Sequence, residues 1–306
     1  MTGEPLCPKS IAVLPLAGLI LSLPARAATP SEQPPRLLRQ TAHAQVIGRP
    51  EAEALAARVA AAADEAVPRI APLVGASDLS PVRAYVYSDR HSFLQAANLP
   101  RRSTIAGLAT FPDEVIRIDG TGLLASIEKV VPHEVGHVLV ARALGPALSA
   151  LPRWTNEGIA EYVAGERASQ VDPLALRAIG RGSALDVAEL DAAFRSGGER
   201  SALAYAESAS LVNFLVAERG ESVIADLLRA LRQTRSFDAA LQQAAGLPLP
   251  ELESAWRSSL ARRWRWPLLF QSGAPILALM VLLFLVGLIR HLLRRRRRQE
   301  MSGQDW

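Results

Sequence analysis

The sequence predicts an α+β body followed by a single C-terminal transmembrane helix. Runs with strand character fall within residues 82–118, where Val82-Arg83-Ala84-Tyr85-Val86-Tyr87 alternates with period two. From about residue 123 to 263 the apolar residues recur at helical spacing, broken by short Gly or Pro punctuation. Residues 268–289 then carry no charged side chain, over the length a bilayer requires. Of the 306 residues, 49% are hydrophobic, enough for a sizeable core in one or two domains.

Charge and cysteine usage exclude several classes of function. Without the six arginines at Arg290 and residues 294–298, the net charge falls from +4 to −2. The basicity therefore belongs to a tail, which argues against a nucleic-acid surface on the folded body. Cys7 is the only cysteine, so neither a disulfide framework nor a cysteine metal site can form. Any metal must be held by His and carboxylates.

In chain order, residues 11–23 form an apolar run of signal-peptide length, followed by the A-x-A pattern Ala25-Arg26-Ala27. Residues 1–28 are therefore expected to be a signal peptide, with an uncleaved N-terminal anchor as the alternative. Residues 29–49 form a polar, Pro-rich lead-in, and the folded domain is expected over 50–263. Residues 50–74 are alanine-rich and helical in pattern, with Leu55, Val59, Val67 and Ile70 inward. The runs 105–111 and 115–118 flank Pro112-Asp113-Glu114 and form a hairpin. A helix is expected from about Leu123 to Leu144. Pro132 either kinks it or starts its second part, and Gly145-Pro146 stops it. A second helix follows Leu151-Pro152-Arg153-Trp154, with Thr155 as a possible N-cap, and runs to about Glu166. The sheet and these two helices occupy 80–169, and an all-helical part occupies 170–263. Its packed faces include Leu211, Phe214, Leu215 and Val223, Leu227, Leu228, Leu231. The span 268–289 has Trp264 and Trp266 at one edge and the arginine-rich segment 290–306 at the other. Three arginines flank the near side (Arg262, Arg263, Arg265) and six the far side, so the tail is expected in the cytoplasm and the body outside it.

The chemistry is concentrated at His133-Glu134-Val135-Gly136-His137. In H-E-x-x-H on a helix, the two histidines lie one turn apart on one face and can share one Zn²⁺. The Glu between them can lean over the metal as a general base. A catalytic zinc needs a third protein ligand. Glu157 is the candidate, 20 residues after His137, a spacing that allows a helix end, a loop and a returning helix. The metzincin pattern fails, because Val140 and Ala143 occupy the positions of its Gly and third His. His43, His91 and His291 have no partner at ligand spacing.

Trp154, Glu157, Gly158, Ala160, Glu161 and Tyr162 follow the H-E-x-x-H as W-x-x-E-G-x-A-E-Y. In these two motifs the sequence resembles the gluzincin metallopeptidases, specifically the peptidase MA-like families, over about residues 80–260. The resemblance implies a zincin-like fold: a small mixed β-sheet, the H-E-x-x-H helix and a C-terminal helical subdomain. It implies one Zn²⁺ per chain, held by His133, His137 and Glu157. Glu134 would take a proton from water activated on the metal and deliver it to the leaving amine. Glu161, one turn after Glu157, would hold a ligand histidine by its other ring N–H. Residues 105–110 would be the edge strand that pairs with substrate backbone. Tyr205 is the best candidate for stabilising the oxyanion, with a core tyrosine as the competing reading.

The function these expectations describe is a single-pass, membrane-anchored zinc peptidase acting outside the cytoplasm on a peptide or protein. The lack of a G-x-M-E-N-type amine-recognition segment favours an endopeptidase. The alternative is a catalytically inactive gluzincin-like binding or scaffold module on the membrane. Oligomeric state and cleavage specificity have no readable code in this sequence.

Overall fold

The computed structural model describes residues 34–122, 125–165, 173–271 and 280–290. The expected signal peptide, the expected tail beyond Arg290 and residues 272–279 of the expected span lie outside these residues.

The first strands are β1 (Arg36–Gln40) and β2 (Ala44–Gly48), an antiparallel pair. Both fall in the segment expected to be a lead-in, which corrects that reading. In β2, Ala44, Val46 and Gly48 turn inward while Gln45 and Ile47 are half-buried. β1 is largely exposed and stands at the sheet's edge. A short 3-10 turn (Pro50–Ala52) leads into α1 (Glu53–Val74), then β3 (Val82–Tyr87), α2 (Arg90–Ala96), β4 (Gly107–Thr110) and β5 (Val115–Asp119). The strand order is β1-β2-β3-β5-β4, with β2, β3 and β5 parallel and both outer pairs antiparallel. The small mixed sheet is therefore present, and β4 is its second edge.

Next comes α3 (Ile127–Leu144), which carries the H-E-x-x-H. It runs through Pro132 as one helix, and Pro132 itself is buried. Residues from Val131 to Leu139 are buried on most sides, because α3 packs against α1, β4, β5 and the helix that follows it. Its cationic Arg142 is covered too. The Arg142 Nε donates to Glu114 Oε2 at 2.9 Å, tying the helix end to the β4–β5 hairpin. A 3-10 segment (Gly145–Ala150) then turns the chain into α4 (Arg153–Ala164).

Two glycines let α4 run between α3 and a later helix. A Cβ on Gly136 of α3 would lie 2.8 Å from the Val163 side chain and 3.3 Å from Ala160 Cα. A Cβ on Gly158 of α4 would meet the Ser208 carbonyl oxygen. The start of α4 differs from the expectation. Thr155 is buried inside the helix, and its hydroxyl has no hydrogen-bond partner among the described residues. The cap comes from elsewhere: Asp191 accepts from the backbone N–H groups of Trp154 at 2.9 Å and Arg153 at 3.3 Å.

The remaining helices are α5 (Pro173–Arg181), α6 (Val187–Ala193), α7 (Gly198–Arg219), α8 (Ser222–Thr234), α9 (Phe237–Ala245) and α10 (Leu249–Gln271). The central member is α7, packed against α4, α5, α6, α8 and α10. A buried Trp256 donates its indole N–H to Ser210 at 3.0 Å, fixing α10 on α7. The helical part is not separately cored. α8 packs on α1 and α3, so one apolar cluster runs from Val46 and Ile70 to Leu227 and Trp256.

Among the described residues no helix is long and apolar enough to cross a membrane. Residues 280–290 are helical and exposed, with Met280, Leu283 and Phe284 more than 60% accessible.

Candidate metal centre

Two helices supply the whole cluster. From α3, the side chains of His133 and His137 bring their Nε2 atoms to 3.2 Å of each other. From α4, Glu157 places Oε2 at 3.4 Å from His137 Nε2 and 3.7 Å from His133 Nε2. These three ligand atoms lie within 4.8 Å of one another, and the group could hold a metal ion.

The outer ring nitrogens are held as well. His133 Nδ1 lies 3.4 Å from Glu161 Oε1, and His137 Nδ1 lies 3.1 Å from Asn156 Oδ1. Such contacts fix each imidazole's tautomer and aim the opposite nitrogen at the shared point. Glu161 stands where the sequence placed it. Asn156 was missed, although as the residue just before Glu157 it adjoins the ligand face. Arg153 was missed too: its Nε donates to the other oxygen of Glu157, Oε1, at 3.2 Å. Helical spacing from Glu157 back to Arg153 would have found it.

Glu134 is buried between α3 and β4. A Cβ on Gly107 would lie 2.6 Å from Glu134 Oε1, so only glycine leaves room for this carboxyl beneath the edge strand. Burial pushes the Glu134 carboxyl above the usual carboxylate range, against the pull of His133 and His137. Burial also disfavours the charged form of His133. The Glu157 hydrogen bond and the carboxylates of Glu134 and Glu161 outweigh it and hold His133 at about 9. Glu157 is desolvated likewise, yet hydrogen bonds from both histidines keep it well below the carboxylate range. Without a metal, the cluster therefore holds a proton on His133 and a carboxylate on Glu157.

The centre opens into a cleft of about 780 Å³, lined by Ile105, Gly107, Val130, His133, Glu134 and Tyr205 among others. The cleft's strand wall is held from behind. Arg90 donates to the buried Asp119 at 2.7 Å and to the Ile105 carbonyl at 2.6 Å, while Asp119 N–H reaches the Ala106 carbonyl at 2.8 Å. Opposite stands Tyr205 on α7, its ring edge-on to Phe194 at 4.8 Å. Burial, with the nearby Glu157 charge, pushes its hydroxyl up to about 12, so it remains a hydrogen-bond donor.

The remaining motif residues have packing roles. Trp154 sits edge-on against Phe237, and the Tyr162 hydroxyl donates to Glu221 at 3.2 Å.

A helix-borne His-His-Glu group beneath the edge strand of a small mixed sheet defines a metallopeptidase-like domain. Residues 62–262, well over half of the chain, match the Peptidase MA superfamily, and the chain belongs to that family. Its domain is of the peptidase type, for which a peptide or protein is the substrate. No curated protein matches the sequence.

Proposed function

We propose that this chain is a membrane-anchored, zinc-dependent endopeptidase that hydrolyses peptide bonds outside the cytoplasm. The spacing of the three ligand atoms is the observation that carries the zinc assignment. Ligands about 2.0–2.1 Å from a tetrahedral zinc stand about 3.3 Å from one another. The separations here are 3.2, 3.4 and 3.7 Å, in a buried two-imidazole, one-carboxylate set. His133, His137 and Glu157 would hold the ion. When bound, zinc supplies a Lewis acid that polarises a carbonyl and makes water acidic near neutral pH.

The chain's own residues do the rest. Among the described residues edge strand β4 pairs only with β5, which leaves its outer backbone groups for an extended peptide. An extended peptide laid there places its scissile bond along the wall above Glu134. Glu134 takes the proton of the attacking water and delivers it to the leaving amine, a task suited to a carboxyl whose pKa burial has raised. Tyr205 donates its hydroxyl to the oxyanion as it forms. Two features support the membrane location. Residues 268–289 carry no charged side chain, and arginines crowd the far flank.

Metal analysis of the purified protein tests the ligand set. Wild type is expected to carry one zinc per chain and Glu157→Ala to lose most of it. Occupancy below about 0.2 in wild type after mild purification would refute the assignment, as would full occupancy in Glu157→Ala.

A further inference from the structure

We propose that Arg153 is a positioning residue that restricts Glu157 to single-oxygen ligation of the metal. This inference rests on the zinc-peptidase reading. The two oxygens of Glu157 face different partners. Oε2 faces both histidines, whereas Oε1 accepts from Arg153 Nε at 3.2 Å. A carboxylate that gives both oxygens to a zinc fills a place that a catalytic site keeps for water or substrate. The Arg153 hydrogen bond competes for Oε1 and keeps it turned away.

Arg153 is itself held at both ends, side chain and backbone. Its guanidinium carbon lies 4.7 Å from the centre of the Phe194 ring, a cation–π contact that fixes its plane. Its backbone N–H is capped by Asp191 on α6, the helix that precedes Phe194. The same Phe194 ring packs on Tyr205, so ligand, guanidinium and cleft tyrosine share one support. Stability is a poor explanation for this arrangement. The Arg153 side chain is 42% exposed, and ion pairs at i,i+4 with one exposed partner add little to folding.

The test uses the full-length protein with Arg153→Met, which keeps the stem and removes the donor. Each protein is loaded with Co²⁺ for visible spectroscopy and with zinc for kinetics. In Arg153→Met the Co²⁺ absorption is expected to weaken as Glu157 contributes its second oxygen. Zinc stays at one per chain, kcat falls about 10- to 100-fold, and KM stays within about twofold. An unchanged spectrum overturns the proposal, even where kcat falls, because Arg153 would then act on substrate or on Tyr205, with which it also interacts, and not through Glu157. Should Arg153→Met not fold, Arg153→Leu replaces it, since leucine also brings no donor to Glu157 and is expected to shift the spectrum the same way. A wild-type protein that takes up neither Co²⁺ nor zinc would overturn the zinc-peptidase reading and this proposal with it. Normal wild-type uptake with an unchanged variant spectrum overturns this proposal alone.

Discussion

His133 is a cation at neutral pH in the metal-free protein, because its surrounding carboxylates outweigh burial and hold it at about 9. A raised histidine pKa stabilises the fold fully below the unfolded value of about 6.5, and that contribution is lost as pH rises through about 9. Urea unfolding of the chelator-treated protein should therefore show stability falling between about pH 6.5 and 9, by at most about 3 kcal/mol. With zinc bound, the proton is replaced and the His133 share of this trend should vanish, leaving the smaller fall due to Glu207, which burial raises to about 7. Stability of the metal-free protein that rises across the same window would contradict the charge assignment. The grouping of His133, His137, Glu157 and Glu161 was legible in the sequence, because helical spacing puts His133 with His137 and Glu157 with Glu161 on shared faces and the resemblance of the second motif singled out Glu157. Asn156 and Arg153 were not. Their roles depend on which oxygen or ring nitrogen each one meets, and that is set by the rotation of α4 against α3.

Among the elements, α4 shows how far a local reading reaches. Its length and its close-packing glycine follow from the motif, but its cap does not. Thr155 has the right residue type for a cap, yet the acceptor is Asp191, 37 residues from Trp154. Asp191→Ala should cost about 1 kcal/mol in unfolding free energy, as for other lost helix caps, read as a lower urea midpoint with an unchanged slope. No loss of stability would show that the α4 amides are satisfied without α6. The strands divide in the same way. β3 alternates over six residues, and the β4–β5 hairpin is marked by Pro112-Asp113-Glu114, so both could be read. β1 and β2 are five residues each, sit beside a proline-rich stretch, and are fixed by pairing, β1 on β2 and β2 on the distant β3. Non-local pairing of that kind leaves little trace in local pattern.

At the scale of the whole molecule, one core joins the sheet, the motif helices and the helical part, so the cleft is walled by β4 on one side and α7 on the other. The helical part thereby contributes Tyr205 to the lining of the cleft and Phe194 behind it. The membrane assignment has its own check. A reporter fused after Trp306 should be active only in the cytoplasm, and activity on the other side would reverse the orientation. On this reading the cluster is a working hydrolytic site. Hydrolysis is read by digesting an unbiased peptide library with purified wild type and with Glu134→Gln, both assayed for zinc. The expected result is chelator-sensitive cleavage by wild type, with a loss of at least about 100-fold in Glu134→Gln while its zinc stays at one per chain. Equal cleavage by the two proteins would rule out Glu134 as the base, and no cleavage by a fully zinc-loaded wild type would rule out peptidase activity.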